Sequence, residues 1–513
     1  MMAAKLVTDS KERKDDAINL FILIFIASAV GIYLIATTVL IAKDGVFYIE
    51  RAQEFSSNPV RIIKGHPFGY PFLIFISHKL VTLFTDSSSV YTWIYPAQGV
   101  NLLCRIFSFI PLYFMGKILV GSRNSFWSLL ILALLPYPTE FGSDALRDWP
   151  HIFFLACGFW AILWGATKRN WWIFVLVGLS AGLGYMIRPV CAQLIVYGIV
   201  WLVYCFFRAV RTFSRSKTTL ATVLLIAGFL IPVGPYAIIR GKILPEKLYP
   251  IIQSFSLGAG IDETAKANIY DYKASVEYIA GINNKILEAA GNLVEKAGAN
   301  LMWFFALPWL VGTYHHFKKT ATYQERLLIP TFVGLNVIFL FLRYCCVELD
   351  LTHRYILPLT VFTIFYIPRG LELLSCWLVN IKQRNKLTVP ISSAKAQKFF
   401  SVLLIIGLCI CLPKLLRPIR IEKQGYLSAA GWLRENAVQE DIIAVPDRRL
   451  YFYAERKGAV YESGKFDARA KYIVKIAKDE EGPKFDRTVR EVYSAWANQR
   501  EKEGKKVVIY RVL

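Results

Sequence analysis

Long apolar runs recur along the chain, most of them near the roughly 20 residues that cross a bilayer. They fall at about 18–42, 97–119, 125–140, 150–166, 171–187, 190–207, 218–238, 300–315, 327–344, 354–368 and 398–414, eleven in all. The first outlasts the apolar part of a signal peptide and carries no small-residue cleavage site, so it reads as a span. A further run, YPFLIFISHKLVTLF at 70–84, is only about 15 residues long and holds His78 and Lys79, which leaves a span open as well as a re-entrant element. Such a segment suits an element lying in the interface.

Basic residues arbitrate. With 70–84 kept on one side and the N-terminus in the cytoplasm, inner segments collect at least 20 Lys and Arg. The short outer loops hold only Arg147, Arg188, Arg343 and Arg354. Letting 70–84 span reverses this bias, against the positive-inside rule. The expected outer segments are 43–96, about 240–299 and the tail from about 417. The second is rich in Gly, Ala and Asn, with helical patches such as SVEYIAGINNKILEAAGNLVEKAG.

The tail changes period. YLSAAGWLRENA predicts a helix with Leu427, Ala430 and Leu433 on one side. DIIAVP, GAVYE, YIVKI and KKVVIYRVL predict short strands, and TVREVYSAWANQREKEG predicts a helix before the last of them. The expected organisation is a membrane domain over 1–416 and a small soluble α/β domain over 417–513. The tail has no phosphate-binding glycine loop. It is expected to support or cap a site.

Composition agrees with a polytopic α-helical membrane protein: 55% of residues are hydrophobic and only 19% charged. The net charge of +23 therefore points to topology and anionic lipid, not to nucleic acid. None of the nine cysteines has metal-site spacing. The two halves show no mirrored repeat, which weighs against many transporter folds.

Candidate chemistry lies on the outer rim. Asp44, Glu50 and Glu54 follow the first span, and Glu140, Asp144 and Asp148 lie in PTEFGSDALRDWPHIFF. Asp44 reads either as the cap of the helix GVFYIERAQEF or as an acid placed where a lipid head group meets protein. Asp144 and Asp148, four apart, would share a helix face with Arg147 beside Asp144. Arg188, in YMIRPV, and His353 with Arg354, in LTHRYILPL, stand at outer span ends, while Arg105 lies about two turns below one. Such arginines either snorkel to lipid phosphates or, beside an acid, bind a phosphate leaving group. RIIKGHPFGYPFLIF sets His66 and Tyr70 among prolines, as a fixed turn that can wall a site.

DGVFYIERA, GHPFGYPFLI, SDALRDWPHIFF, the RP at Arg188 and HRYILP from His353, in this order and on one side, resemble the GT-C family of membrane glycosyltransferases. Protein mannosyltransferase and lipid A aminoarabinose transferase types are the most similar branches. The resemblance implies an inverting transfer of sugar from a polyprenyl-phosphate donor to a glycan, lipid or protein acceptor on the outer leaflet of an inner membrane. Carried onto this chain, it makes Asp44 the general base or its organiser, with Asp144 as second-loop partner. Arg188 and Arg354 would hold the phosphate, and His353, His66, Tyr70, Asp148 and Glu50 would line the substrate. The family often has two adjacent acids after the first span. Here Gly45 occupies the second position, so the partner acid is expected elsewhere, at Asp144. The family leaves room for a divalent cation, without a definite metal site in this sequence. A lipid or polysaccharide flippase is the alternative reading, and a non-catalytic envelope scaffold the third.

Overall fold

In the computed structural model, residues 2–86, 89–207, 213–241, 282–346, 351–383, 393–461, 466–478, 488–500 and 504–513 are described. Most of the expected second outer segment, 242–281, lies outside them. The helices are α1 (Met2–Thr37), α2 (Lys43–Glu54), α3 (Pro59–Gly65), α4 (Gly69–Val81), α5 (Tyr91–Val120), α6 (Ser122–Leu134), α7 (Pro136–Ser143), α8 (Asp148–Lys168), α9 (Phe174–Ile187), α10 (Gln193–Phe207) and α11 (Arg215–Arg240). They continue with α12 (Ile282–Asn300), α13 (Ala306–Lys319), α14 (Tyr323–Cys346), α15 (His353–Thr363), α16 (Ile367–Gln383), α17 (Ala394–Leu415), α18 (Gln424–Asn436) and α19 (Arg449–Tyr453).

Among the described residues, eight helices are long and apolar enough to cross a membrane. The three other expected spans are helical but shorter. The run at 125–140 breaks at Leu135, which is extended at ψ 126°. Pro136 follows it, and a residue before proline is driven out of the helical region. The span expected from 300 starts instead at Ala306. Helix α4 has 13 residues and packs on α5 and α9, in keeping with an element too short to span.

Close helix contacts rest on small residues, as expected where lipid competes equally for apolar side chains. A Cβ on Gly178 of α9 would lie 2.2 Å from the Leu225 carbonyl of α11, and one on Gly228 would lie 2.4 Å from the Val175 carbonyl. The two glycines thus let the backbones touch.

The tail forms a mixed sheet of β1 (Ile442–Val445), β2 (Gly458–Val460), β3 (Ala470–Lys478), β4 (Val489–Trp496) and β5 (Lys505–Val512), ordered β2-β1-β3-β5-β4. The helix expected over TVREVYSAWANQREKEG is a strand at β4. It pairs antiparallel with β5, from Val489 opposite Val512 to Trp496 opposite Lys506. Its Val, Tyr and Trp residues suit a pleated surface, and the available β5 edge outweighs the helical preference of its Arg, Glu and Ala. Helix α18 forms as expected, but its buried stripe is Tyr426, Ala429, Ala430 and Leu433, with Leu427 only partly covered.

One apolar core joins this domain to the bundle. Ile41, Val46, Ile49, Tyr70, Ala145 and Ile187 belong to the same buried cluster as Leu433, Ile443, Val474 and Ile509. The tail is therefore docked on α2 and the 144–148 loop.

The glycine contact predicts a contrast within α11. Gly228→Ala should destabilise the detergent-solubilised protein by about 1–3 kcal/mol, because the packed neighbour is backbone. Gly234→Ala, with nothing within 4 Å of its Cβ position, should be neutral or slightly stabilising. Thermal unfolding of both variants checks the pair.

Candidate active site

Helix α2 begins at Lys43, and its N-cap position is Ala42, which has no capping side chain. The cap reading of Asp44 therefore fails. Asp44 lies in the first turn, and its carboxylate leaves the helix to reach Arg354, with Nη1 to Oδ2 at 2.8 Å.

Arg354 is shared. Its Nε donates to Asp148 Oδ2 at 3.0 Å, while Arg188 Nη1 donates to Asp148 Oδ1 at 3.0 Å. The Asp148 side chain is 2% exposed and that of Asp44 is 53% exposed. The chain Asp44–Arg354–Asp148–Arg188 thus runs from solvent to a dry end. Tyr355 continues it, with the Arg188 guanidinium 5.5 Å and that of Arg343 3.8 Å from its ring centre. Asp44 and Asp148 thus alternate with the guanidiniums of Arg354 and Arg188. Arg147 stands beside them, 5.5 Å from the Tyr48 ring. Burial pushes the Tyr48 phenol above its ordinary range, with Arg147 opposing.

Asp144 and Asp148 do not share a helix face. Helix α7 ends at Ser143 and α8 starts at Asp148, with turn backbone between. The loop is fixed from α5: Gln98 donates to the Ser143 carbonyl at 3.1 Å and Asn101 to the Asp144 carbonyl at 2.7 Å. Asp144 is fully buried and accepts from the Ala42 N–H at 2.9 Å, the Ala145 N–H at 2.8 Å and Arg420 Nη2 at 2.6 Å. Burial disfavours the Arg420 charge, but the Asp144 carboxylate beside it holds the guanidinium above its ordinary value. Arg147 pairs elsewhere, donating to the Ile187 carbonyl at 3.2 Å.

The remaining candidates separate. His353 stacks on Tyr137 at 4.0 Å and its Nδ1 meets Asn300 Oδ1 at 3.1 Å. Tyr70 is fully buried, donates to the Ala97 carbonyl at 2.9 Å and supports Tyr48 edge-on. His66 is exposed and lies edge-on to Phe47. Glu50 turns to the tail, accepting from the Tyr451 hydroxyl at 2.7 Å and pairing with Arg448. Arg105 is fully buried, donating to the Ala133 carbonyl and Thr139 hydroxyl, so it does not snorkel. Sequence reasoning missed Arg420 and the Arg343–Tyr355 pair. Arg343 was visible as one of few outer arginines, whereas nothing marks Arg420 apart from its place just past the last span.

Gly45 now has a physical account. A Cβ there would lie 2.7 Å from the Ala145 carbonyl and 2.8 Å from its Cβ. Bare backbone lets α2 close onto the 144–148 loop, and a second acid does not fit. A divalent cation fits poorly too. The carboxylates of Asp44, Asp148 and Asp144 are engaged by guanidiniums, and among the described residues no three His, Cys, Asp or Glu side chains gather as a metal site.

The bundle, its rim of acids and arginines and the docked tail together form a polytopic helical membrane architecture. Residues 65–236 match the model of the dolichyl-phosphate-mannose-protein mannosyltransferase family. The fold is similar to Archaeoglobus fulgidus oligosaccharyltransferase AglB in complex with an inhibitory peptide and a dolichol-phosphate. That match has TM-score 0.56 and 11% identity, over 90% of this chain and 69% of AglB. It is also similar to Cupriavidus metallidurans ArnT bound to undecaprenyl phosphate, at TM-score 0.53 and 12% identity over 95% of this chain and 97% of ArnT. No curated protein sequence matches the chain. The resemblance to GT-C membrane glycosyltransferases is thus borne out in fold.

Gly45→Asp, which would set two acids side by side, is expected to lower stability. Gly45→Ala should already cost about 1–3 kcal/mol through the Ala145 contact. Thermal unfolding in detergent checks both. Wild-type stability in Gly45→Asp would refute the close-approach account.

Proposed function

We propose that the protein is an inverting glycosyltransferase that moves a sugar from a polyprenyl-phosphate donor to an acceptor at the outer face of the plasma membrane. The observation that carries this reading is one exposed carboxylate, Asp44, hydrogen-bonded to Arg354, which with Arg188 also holds the buried Asp148. A base and a phosphate-binding group then border one site, and displacement at a phosphate-linked sugar carbon needs that carbon held between them.

In this reading the acceptor nucleophile loses its proton to Asp44 as its lone pair forms the new bond to the anomeric carbon. The bond from that carbon to the phosphate oxygen breaks on the opposite face. Its electron pair leaves with the polyprenyl phosphate. Arg354 and Arg188 meet the growing charge, since each guanidinium has five N–H donors, more than the bonds to Asp44 and Asp148 use. Asp148 fixes both guanidiniums. Asp144 has no exposed surface, and we assign it to organising the Asp44 segment rather than to reacting. Positioning of donor and acceptor is worth about 7–11 kcal/mol in a well-aligned site, and a base about 10²–10⁴ in rate.

Relatives in fold support the donor class: one ArnT structure holds undecaprenyl phosphate and one AglB structure dolichol-phosphate. The excess of basic residues in the inner segments supports a cytoplasmic N-terminus and an extracytoplasmic tail.

Asp44→Asn should reduce transfer from a polyprenyl-phosphate sugar about 10²–10⁴-fold while leaving undecaprenyl phosphate binding intact. Arg354→Gln should weaken that binding about tenfold or more, because a charge-assisted bidentate donor is lost. Full transfer by Asp44→Asn in reconstituted liposomes would remove the proposed base. For sidedness, His66→Cys in intact cells should react with a membrane-impermeant maleimide. Protection until the membrane is opened would invert the topology.

A further inference from the structure

Between α1 and α2 the chain runs without helix from Thr38 to Ala42, and Leu40 and Ile41 are buried. Buried irregular backbone needs partners for its N–H and C=O groups. Here they come from far along the chain. The Val39 N–H donates to the Ile419 carbonyl at 3.1 Å. The Leu40 carbonyl accepts from Arg420 Nη1 at 2.9 Å. The Ile41 N–H donates to the Tyr453 hydroxyl at 3.0 Å, and the Ile41 carbonyl accepts from Arg449 Nη1 at 3.4 Å. The Ala42 N–H donates to Asp144, which Arg420 also holds.

These groups are themselves fixed. Arg449 is 3% exposed and its Nε is 3.0 Å from Asp447 Oδ1, in a two-pronged pair. Arg420 lies in the left-handed region at φ 58°, ψ 37°. A non-glycine residue in that conformation carries strain that the surroundings must maintain. The conformation accompanies a two-way reach: one guanidinium edge spans the Leu40 carbonyl and the Asp144 carboxylate.

We infer that the C-terminal region is a positioning clamp for the peptide that carries Asp44, with Arg420 and Tyr453 as its positioning residues. The inference deepens the glycosyltransferase reading and rests on it for the catalytic consequence. The clamp acts two to five residues upstream of Asp44. It therefore sets where the carboxylate meets Arg354 without touching donor or acceptor. The soluble domain is accordingly part of the catalytic geometry rather than an appended module.

Two conservative variants of the full chain in nanodiscs test this. Tyr453→Phe removes one hydroxyl and leaves the Ile41 N–H without its acceptor. Arg420→Lys keeps the charge but reaches only one of two partners. Hydrogen–deuterium exchange should rise about tenfold or more at the amides of residues 39–42 in both, with the membrane spans unchanged. The kcat for transfer from a polyprenyl-phosphate sugar should fall about tenfold, with donor KM and undecaprenyl phosphate affinity unchanged. Unaltered exchange in both variants overturns the clamp. Raised exchange with wild-type kcat overturns its positioning role. A wild-type chain that transfers no polyprenyl-linked sugar defeats the glycosyltransferase reading instead, and the exchange result still decides the clamp.

Discussion

Asp148 is a carboxylate with almost no contact with water, and much of one end of the bundle follows from keeping it charged. A buried carboxylate is strongly disfavoured unless opposite charge and hydrogen bonds surround it. Arg188 and Arg354 supply both, one to each oxygen. Removing one partner of such a group costs about 3–5 kcal/mol, because the other charge is left uncompensated. The ends of α8, α9 and α15 are therefore pinned to a common point. Arg354 then extends the network outward to Asp44 on α2. The same guanidinium thus answers a stability requirement on its inner side and presents an exposed acid on its outer side.

A second constraint acts on the backbone. The segments leading to Asp44 and Asp148, 38–42 and 144–147, leave helical structure at the membrane rim, where unpaired polar groups are expensive. The 144–148 loop takes its partners from α5 through Gln98 and Asn101. The 38–42 segment takes its partners from the tail. Asp144 connects the two, since its carboxylate caps the Ala42 N–H while its carbonyl is held by Asn101. Gly45 permits the approach. Acidic residues that look equivalent in the sequence therefore divide into an exposed one and two dry ones.

Much of this was legible from the chain. Apolar run length located the helices, and the basic-residue bias grouped 43–96, the 144–148 loop, Arg188, Arg354 and the tail at one end, where the ion pairs now join them. Arg188, Arg354 and an acid were expected to converge, and they do, although the acid they share is Asp148. What sequence spacing missed is non-local. The four-residue interval from Asp144 to Asp148 looks helical, but the α7 terminus intervenes. The stretch at β4 has helix-forming residues, and only the β5 edge makes it a strand. Arg420 is 276 residues from its carboxylate partner, a separation no local pattern encodes.

The arrangement also accounts for a glycine at the position where the family resemblance leads one to expect a second acid. Two adjacent carboxylates at that turn would repel each other and call for a cation between them. Here the position is filled by close packing against Ala145, and compensation comes from guanidiniums on α9 and α15. Guanidinium charge is permanent and directional, and its planar donors match both carboxylate and phosphate. In the glycosyltransferase reading proposed above, a single set of arginines holds the carboxylates in the resting site and meets the phosphate as it leaves. The carboxylate left exposed, Asp44, has its position set from two directions, by Arg354 on its side chain and by the clamped 38–42 segment on its backbone.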